Sequence, residues 1–243
     1  MRIPKIIIQT FKSRELPPLM KMAQRSWISK NPKWTYRFFT DEAVIKFVDE
    51  FDADQFEFSS IDLKAAFTKI RPGAGKADLF RYLYLAAHGG AYFDIDTVCK
   101  QPLDEYLLSN DMHVSGLGMR RDLHQWGIII CPQHPLMKRA AEKSVSNILN
   151  ESFENGYENS LEGLTGPPVL MRALCDVANV NPELMILLEP GVFELKVGSN
   201  SFQTRVLEGD LFGGRVEFKY QGYKEELDEL GVEYWQDVSL FNR

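Results

Sequence analysis

The sequence predicts an α/β fold, a sandwich in which helices cover a central sheet. Three observations predict it. Through the first half, runs of β-branched residues alternate with stretches of helical period, and the second half is richer in short strands and Gly-containing turns. Residues 77–87 form a helix that is apolar nearly all round, so it belongs to a core. That helix breaks at Gly89-Gly90, and a short apolar strand, Ala91-Tyr92-Phe93, then runs into two carboxylates, Asp94 and Asp96. In an open α/β sheet, ligands bind at such strand ends.

The elements follow in order. Residues 3–9 read as a β-branched strand, and residues 17–29 as a helix stopped by Asn31-Pro32. Residues 34–39 alternate like a strand. Asp41 is placed to cap a helix over 42–50, and another helix is expected over 60–67. Arg71-Pro72-Gly73-Ala74-Gly75 reads as a loop into the core helix. With Lys76 it looks like part of a phosphate-binding loop, but a Walker loop needs Gly where Ile70 stands and Ser or Thr where Ala77 stands. Strands are expected over 112–117 and 126–130. A helix over 135–149 should expose Lys138, Arg139, Glu142 and Lys143. Residues 150–162 read as a polar loop and 166–177 as a helix. The remainder, punctuated by Gly198, Gly209, Gly213 and Gly214, reads as short strands and turns.

Composition bounds the function. The 243 residues are 44% hydrophobic and 12% aromatic, which suffices for a sizeable core. A net charge of -6 argues against nucleic acid as a partner, because binding by counterion release needs excess Lys and Arg. No apolar stretch reaches the roughly 18 residues of a membrane span. The start, Met1-Arg2-Ile3-Pro4, has no signal-peptide layout, so a cytoplasmic location is expected. Cys99, Cys131 and Cys175 are far apart and form no metal-type spacing, so they read as reduced and mostly buried.

The acids carry the chemistry. In a continuing strand, Asp94 and Asp96 point to one face and Ile95 away from it. Two hard oxygen donors on one face suit Mg²⁺ or Mn²⁺, which complete their shells with waters and substrate phosphates. The bland alternative is a pair of solvated turn acids. Inside the apolar helix, Asp78 and Arg81 share a face at i, i+3. Either they form a structural salt bridge, or that face looks into a cleft where Arg81 meets phosphate or sugar oxygens and Asp78 accepts from hydroxyls. Trp126 and Gln125 start a strand past the acids, where they are either core or the lining of an acceptor pocket. Trp34 reads as core, Trp27 lies nearer the nucleotide side, and His134 reads more as packing and capping than as a ligand.

The runs Lys76-Ala77-Asp78-Leu79-Phe80-Arg81-Tyr82 and Gly89-Gly90-Ala91-Tyr92-Phe93-Asp94-Ile95-Asp96 resemble the sugar-binding region of glycosyltransferase family thirty-two, the Och-type mannosyltransferases and their relatives. The donor core of the clostridial glucosylating toxins is a more distant likeness. Ile3-Pro4-Lys5-Ile6-Ile7-Ile8-Gln9-Thr10-Phe11, Ser26-Trp27, Asn31-Pro32-Lys33-Trp34 with Tyr36, Cys131-Pro132 with His134-Pro135, and Thr165-Gly166-Pro167 also look like family landmarks, so the likeness spans roughly residues 3–175. It implies a GT-A-like nucleotide-diphospho-sugar transferase fold, a Rossmann-like α/β/α sandwich with a mixed central sheet. One domain over 1–243 would hold its nucleotide-sugar half in about 1–110 and its acceptor half in about 111–243. The implied reaction is a retaining transfer of a hexose from a UDP- or GDP-linked donor to a glycan, lipid-linked or protein acceptor, with Mn²⁺ or Mg²⁺. The implied metal ligands are Asp94 and Asp96; Arg81 joins them in catalysis, and Gln9, Thr10, Asp78, Arg81, Tyr92 and Asp94 bind the donor. Two features depart from the family. Ile8 and Phe11 stand where members usually carry His and Trp, and the late His that helps the metal or diphosphate is missing; Asn200, Asp210 and Glu194 are candidate substitutes. Two rival readings remain: an aspartyl-phosphate phosphatase with Asp94 as nucleophile, its nearest late acid at Gly209-Asp210, and a sugar-nucleotide or glycan-binding module without turnover.

Overall fold

The β-branched run at the start can lie in a sheet only after Pro4, whose ring has no amide to give a ladder. The computed structural model accordingly begins strand β1 at Ile6 and ends it at Thr10, later than the expected 3–9. The structure describes residues 2–118, 122–181, 189–207, 212, 214–231, 236 and 238–242. Gly209, Asp210 and Gly213, singled out in the sequence, lie outside the described residues.

The helices are α1 (Pro18–Lys30), α2 (Asp41–Asp49), α3 (Ser60–Lys69), α4 (Gly73–His88), α5 (Leu103–Tyr106), α6 (Pro135–Asn150), α7 (Leu161–Thr165), α8 (Pro167–Ala178) and α9 (Tyr223–Glu229). The other strands are β2 (Thr35–Phe39), β3 (Gly90–Phe93), β4 (Thr97–Cys99), β5 (His113–Leu117), β6 (Leu123–Ile130), β7 (Gly191–Val197), β8 (Asn200–Leu207) and β9 (Val216–Phe218). The main sheet has the order β2-β1-β3-β6-β5-β8-β7 and is mixed. β1 runs parallel to β2 and β3, β6 antiparallel to β3 and β5, and β8 parallel to β5 but antiparallel to β7. β4 and β9 form a separate antiparallel pair. The sheet thus draws strands from both halves of the chain.

Alternation along the strands sorts side chains to two faces. Ile8, Tyr92, Ile128 and Ile130 join α4, α6 and α8 in one apolar cluster, while Ile7, Ala91, Phe93 and Ile129 join Trp27 of α1 with Leu103 and Tyr106 of α5 in another. Helix α4 is the centrepiece of the first cluster: Leu79, Phe80, Tyr82, Leu83, Tyr84 and Leu85 are all buried. Its Gly-Gly exit is sterically required. Gly89 and Gly90 have φ of 64° and 116°, and a Cβ on Gly90 would stand 2.8 Å from the Ile6 carbonyl oxygen.

Several local expectations are corrected. Thr40, not Asp41, caps α2, its hydroxyl accepting from the Ala43 amide. The expected loop at 71–75 is already helix from Gly73, because Gly75 lets α4 press on Ile70 and Leu161; a Cβ there would be 2.4 Å from Ile70 Cδ1. Glu142 is buried rather than exposed: the loop bearing Glu57 covers it and donates an amide to its carboxylate. The late helix α9 carries no strong periodic signal and was expected as turns. Cys99, Cys131 and Cys175 are free and buried. Among the described residues, no helix is long and apolar enough to cross a membrane.

Candidate active site

The acid pair sits where β3 runs out. The Asp94 amide makes the last ladder bond, to the Trp126 carbonyl at 2.8 Å. The chain then folds back, with the Thr97 hydroxyl and amide both donating to the Asp94 carbonyl, at 2.6 and 3.2 Å. The two acids therefore occupy a turn and not the continuing strand from which their common face was argued. Ile95 between them packs away, among Met20, Ala23, Tyr220 and Leu227. Trp27 braces the turn from below: it is fully buried, stacks on Phe93 at 3.9 Å, and donates its indole N–H to Thr97. It is a support under the acids, not a wall of a nucleotide pocket.

The residues picked from the sequence converge on Asp94. Its Oδ1 accepts from Arg81 Nη2 at 2.9 Å and from the Tyr92 hydroxyl at 3.1 Å. Tyr92 spends its proton there, so Thr10 donates to Tyr92, at 3.0 Å. The Gln9 amide group donates to the Asp94 carbonyl at 3.0 Å and accepts from the Tyr36 hydroxyl at 2.7 Å. Arg81 also donates to the Gln125 carbonyl at 2.7 Å, pairs with Asp78 at 3.1 Å and lies over the Tyr92 ring at 4.4 Å. Asp78 accepts from Thr165 at 2.8 Å, and Gln125 donates to Tyr82 and to the Thr165 carbonyl. Both readings of Asp78 and Arg81 hold part of the geometry: they form a buried salt bridge, and that bridge is the floor of the site.

Burial sets the electrostatics. It pushes the Asp78 carboxyl up to about 6, against the pull of Arg81 and the Thr165 hydrogen bond. It raises Asp94 as well, again opposed by Arg81. Asp96, 5% exposed, is pushed to about 7 by burial and by the neighbouring Asp94 charge. Burial works against the Arg81 charge, but Asp94, Tyr92 and Asp78 outweigh it and hold its pKa above the ordinary value. Such a site favours an added cation. Asp96 Oδ1 is buried without a hydrogen-bond partner, and no hydrogen bond among the described residues reaches Asp94 Oδ2. Two carboxylates, each with an uncommitted oxygen, fit a divalent ion that takes its remaining ligands from phosphates.

The late chain closes the site, which the sequence did not reveal. The Lys219 amide donates to the Asp96 carbonyl at 2.9 Å, and the Tyr223 hydroxyl lies against the Asp96 carboxyl. Glu226 accepts from the Leu19 and Met20 amides at 2.5 and 3.0 Å, fixing α9 to the start of α1. Tyr36, Thr165, Lys219 and Tyr223 were not picked as site residues; Tyr36 and Thr165 had a signal only as family landmarks. Asn200 and Glu194 lie on the β8-β7 hairpin, which β6 and β5 separate from β3 in the sheet, so the fold does not bring them to the acids. Asp210 lies outside the described residues. Lys76 turns to the Phe67 ring at 5.3 Å, in a depression of about 250 Å³ with Ile45 and Asn242. Trp34 is buried core and donates to Asp104. His134 caps α6 and packs on Phe202.

Residues 17–113 match the family model described as a glycosyltransferase sugar-binding region containing a DXD motif. A mannosyl phosphorylinositol ceramide synthase of Saccharomyces cerevisiae is 30% identical over 143 residues, 57% of this chain and 34% of that protein. An initiation-specific alpha-1,6-mannosyltransferase of Candida albicans is 32% identical over 114 residues, 45% of this chain and 28% of that protein. The chain thus spans about a third of the length of these relatives. The solved PaToxG glycosyltransferase shares the fold, with a TM-score of 0.55 at 17% identity, over 72% of this chain and 70% of that one. Over residues 17–113 the chain is thus similar to the glycosyltransferase sugar-binding region with its DXD motif, the segment that presents Asp94 and Asp96, and its fold is that of a glycosyltransferase domain.

Proposed function

We propose that the chain is a retaining, metal-dependent glycosyltransferase that moves a hexose from a nucleotide-diphospho-sugar to an acceptor hydroxyl. The observation that carries this is the acid turn: Asp94 is oriented by Arg81, Tyr92 and Gln9, and beside it Asp96 Oδ1 is buried with nothing to bind. Asp94 and Asp96 hold the divalent ion, which when bound supplies Lewis-acid neutralisation of the leaving diphosphate. Arg81 favours the ionised form of Asp94 against the effect of burial and adds positive potential under the diphosphate. The Asp78–Arg81 floor lies under the donor sugar, and Gln9 and Thr10 border the nucleotide. The acceptor oxygen attacks the anomeric carbon from the side the diphosphate leaves. The bond from that carbon to the phosphate oxygen breaks, and the acceptor proton passes to the departing phosphate. Mannose is the first donor sugar to try, since both curated relatives are named for mannosyl transfer; acceptors are glycans, lipid-linked sugars or proteins.

The test is a panel of UDP- and GDP-linked sugars with Mn²⁺ or Mg²⁺. Slow release of nucleoside diphosphate, abolished by EDTA and restored by Mn²⁺, is expected. Orthophosphate from simple esters would instead mark a phosphatase acting through Asp94, and tight binding with no turnover a binding module.

A further inference from the structure

The late chain reaches the acid turn by a route its backbone fixes. β9 pairs antiparallel with β4, setting Phe218 opposite Thr97. One residue on, Lys219 donates its amide to the Asp96 carbonyl at 2.9 Å, so it is tied to the turn that presents both carboxylates. Lys219 holds a left-handed backbone, φ 52°. A residue with a Cβ keeps that conformation only where its surroundings impose it, and such residues gather at functional sites. The surroundings are visible. Phe218 lies flat against Trp126, with ring centroids 4.8 Å apart and planes 10° from parallel, and the Lys219 ammonium rides over the Phe218 ring at 5.1 Å.

Arg81 and Lys219 both act on the acids, yet they differ in availability. Arg81 is buried, and its two terminal nitrogens are engaged by Asp94, Asp78 and the Gln125 carbonyl, which leaves only its buried Nε without a partner. Lys219 is exposed and forms no salt bridge among the described residues, although its charge reaches both Asp94 and Asp96. An uncommitted ammonium at the rim of an acidic, metal-suited turn is matched to a polyanion arriving with the metal. From this geometry we infer that Lys219 is the residue of the late chain that binds the diphosphate of the donor and holds it as it leaves. The stack of Trp126 and Phe218 is the mount that aims it. Lysine suits the task as a mobile point charge on phosphate oxygens. The inference rests on the glycosyl-transfer reading and names a binding group within it.

The test titrates the full chain calorimetrically with Mn²⁺ alone, and with UDP and GDP in the presence of Mn²⁺. Wild type is compared with Lys219→Ala, Lys219→Gly and Lys219→Arg, each checked by thermal unfolding. Removing the ammonium should weaken nucleotide binding about tenfold or more, the weight of a charge-assisted contact, and slow donor turnover in parallel. Mn²⁺ alone should bind the Ala variant no more weakly than wild type. Lys219→Gly should bind nucleotide as poorly as Lys219→Ala while unfolding no earlier than wild type, since glycine takes this backbone freely. Lys219→Arg should recover most of the affinity. Equal nucleotide affinity in wild type and Lys219→Ala overturns the assignment and leaves glycosyl transfer standing. A wild-type chain that binds neither nucleotide and releases none from sugar donors overturns both.

Discussion

At the scale of single residues, Asp96 is the most exposed to test. It is buried, its Oδ1 is unpartnered, and its carboxyl is pushed toward neutrality by burial and by Asp94. Tyr223 and the Lys219 charge favour its ionised form only in part and leave Oδ1 unsatisfied, so a bound cation would complete the site. Asp96→Asn keeps the shape and the contact with Tyr223 but removes the anionic oxygen. Nucleoside diphosphate release should fall about a hundredfold or more while circular dichroism and melting temperature hold. Normal turnover by the folded variant would refute the assignment. Asp94 was legible in the sequence for the same reason as Asp96: an Asp-x-Asp after an apolar strand. The partners that aim Asp94 were legible as names but not as geometry. Arg81 was expected either to bridge Asp78 or to meet phosphate or sugar oxygens; the i, i+3 spacing foretold the bridge, but not the bonds to Asp94 and to the Gln125 carbonyl.

At the scale of elements, the turn depends on α1 as much as on β3. Trp27 fills the space under Phe93 and its indole donates to Thr97, the residue that closes the turn. Trp27→Phe keeps most of the packing but leaves the Thr97 groups without their buried donor. Denaturant unfolding should show a loss of about 1–3 kcal/mol, and Mn²⁺ binding should weaken as the turn loosens. The strong elements were readable because each has a local cause. Helix α4 shows in its unbroken apolar composition, and its exit shows in Gly89-Gly90, whose backbone other residues do not tolerate. The errors have two causes. The early start of α4 and the burial of Glu142 are each decided by a contact with another segment, through Ile70 and Glu57 respectively, whereas the cap of α2 is a local choice in which the Thr40 hydroxyl, not Asp41, takes the Ala43 amide. Lys219 and Tyr223 were invisible because the β4–β9 pairing joins segments more than a hundred residues apart, and no short pattern announces such a return.

At the scale of the whole molecule, the histidines give a handle on acid stability. His113 on β5 and His134 before α6 lie 5.6 Å apart, ring to ring, in the interior. Burial lowers His113 to about 3 and, with the His113 charge adding, takes His134 well below its ordinary value. The unfolded chain takes up these protons near pH 6.5, the folded chain not until far lower. Between those limits the unfolded state binds more protons, so stability falls with falling pH, by up to about 1.4 kcal/mol per pH unit for each group. Asp78 and Asp96, whose folded pKa values are raised, act in the opposite direction over part of the same range. The histidine contribution is therefore read as a difference. Relative to wild type, His113→Met should gain stability progressively between pH 6.5 and 4 in urea unfolding; parallel curves would show that His113 is already charged in the fold.

The sheet order has a practical corollary for anyone cutting the gene. The segment that matches the family model stops at residue 113, yet the backbone carbonyl that ends the strand before the acids belongs to Trp126, and the clamp on the first helix belongs to Glu226. A polypeptide trimmed to that segment would keep both acids of the motif and lose the scaffolding that gives them their positions.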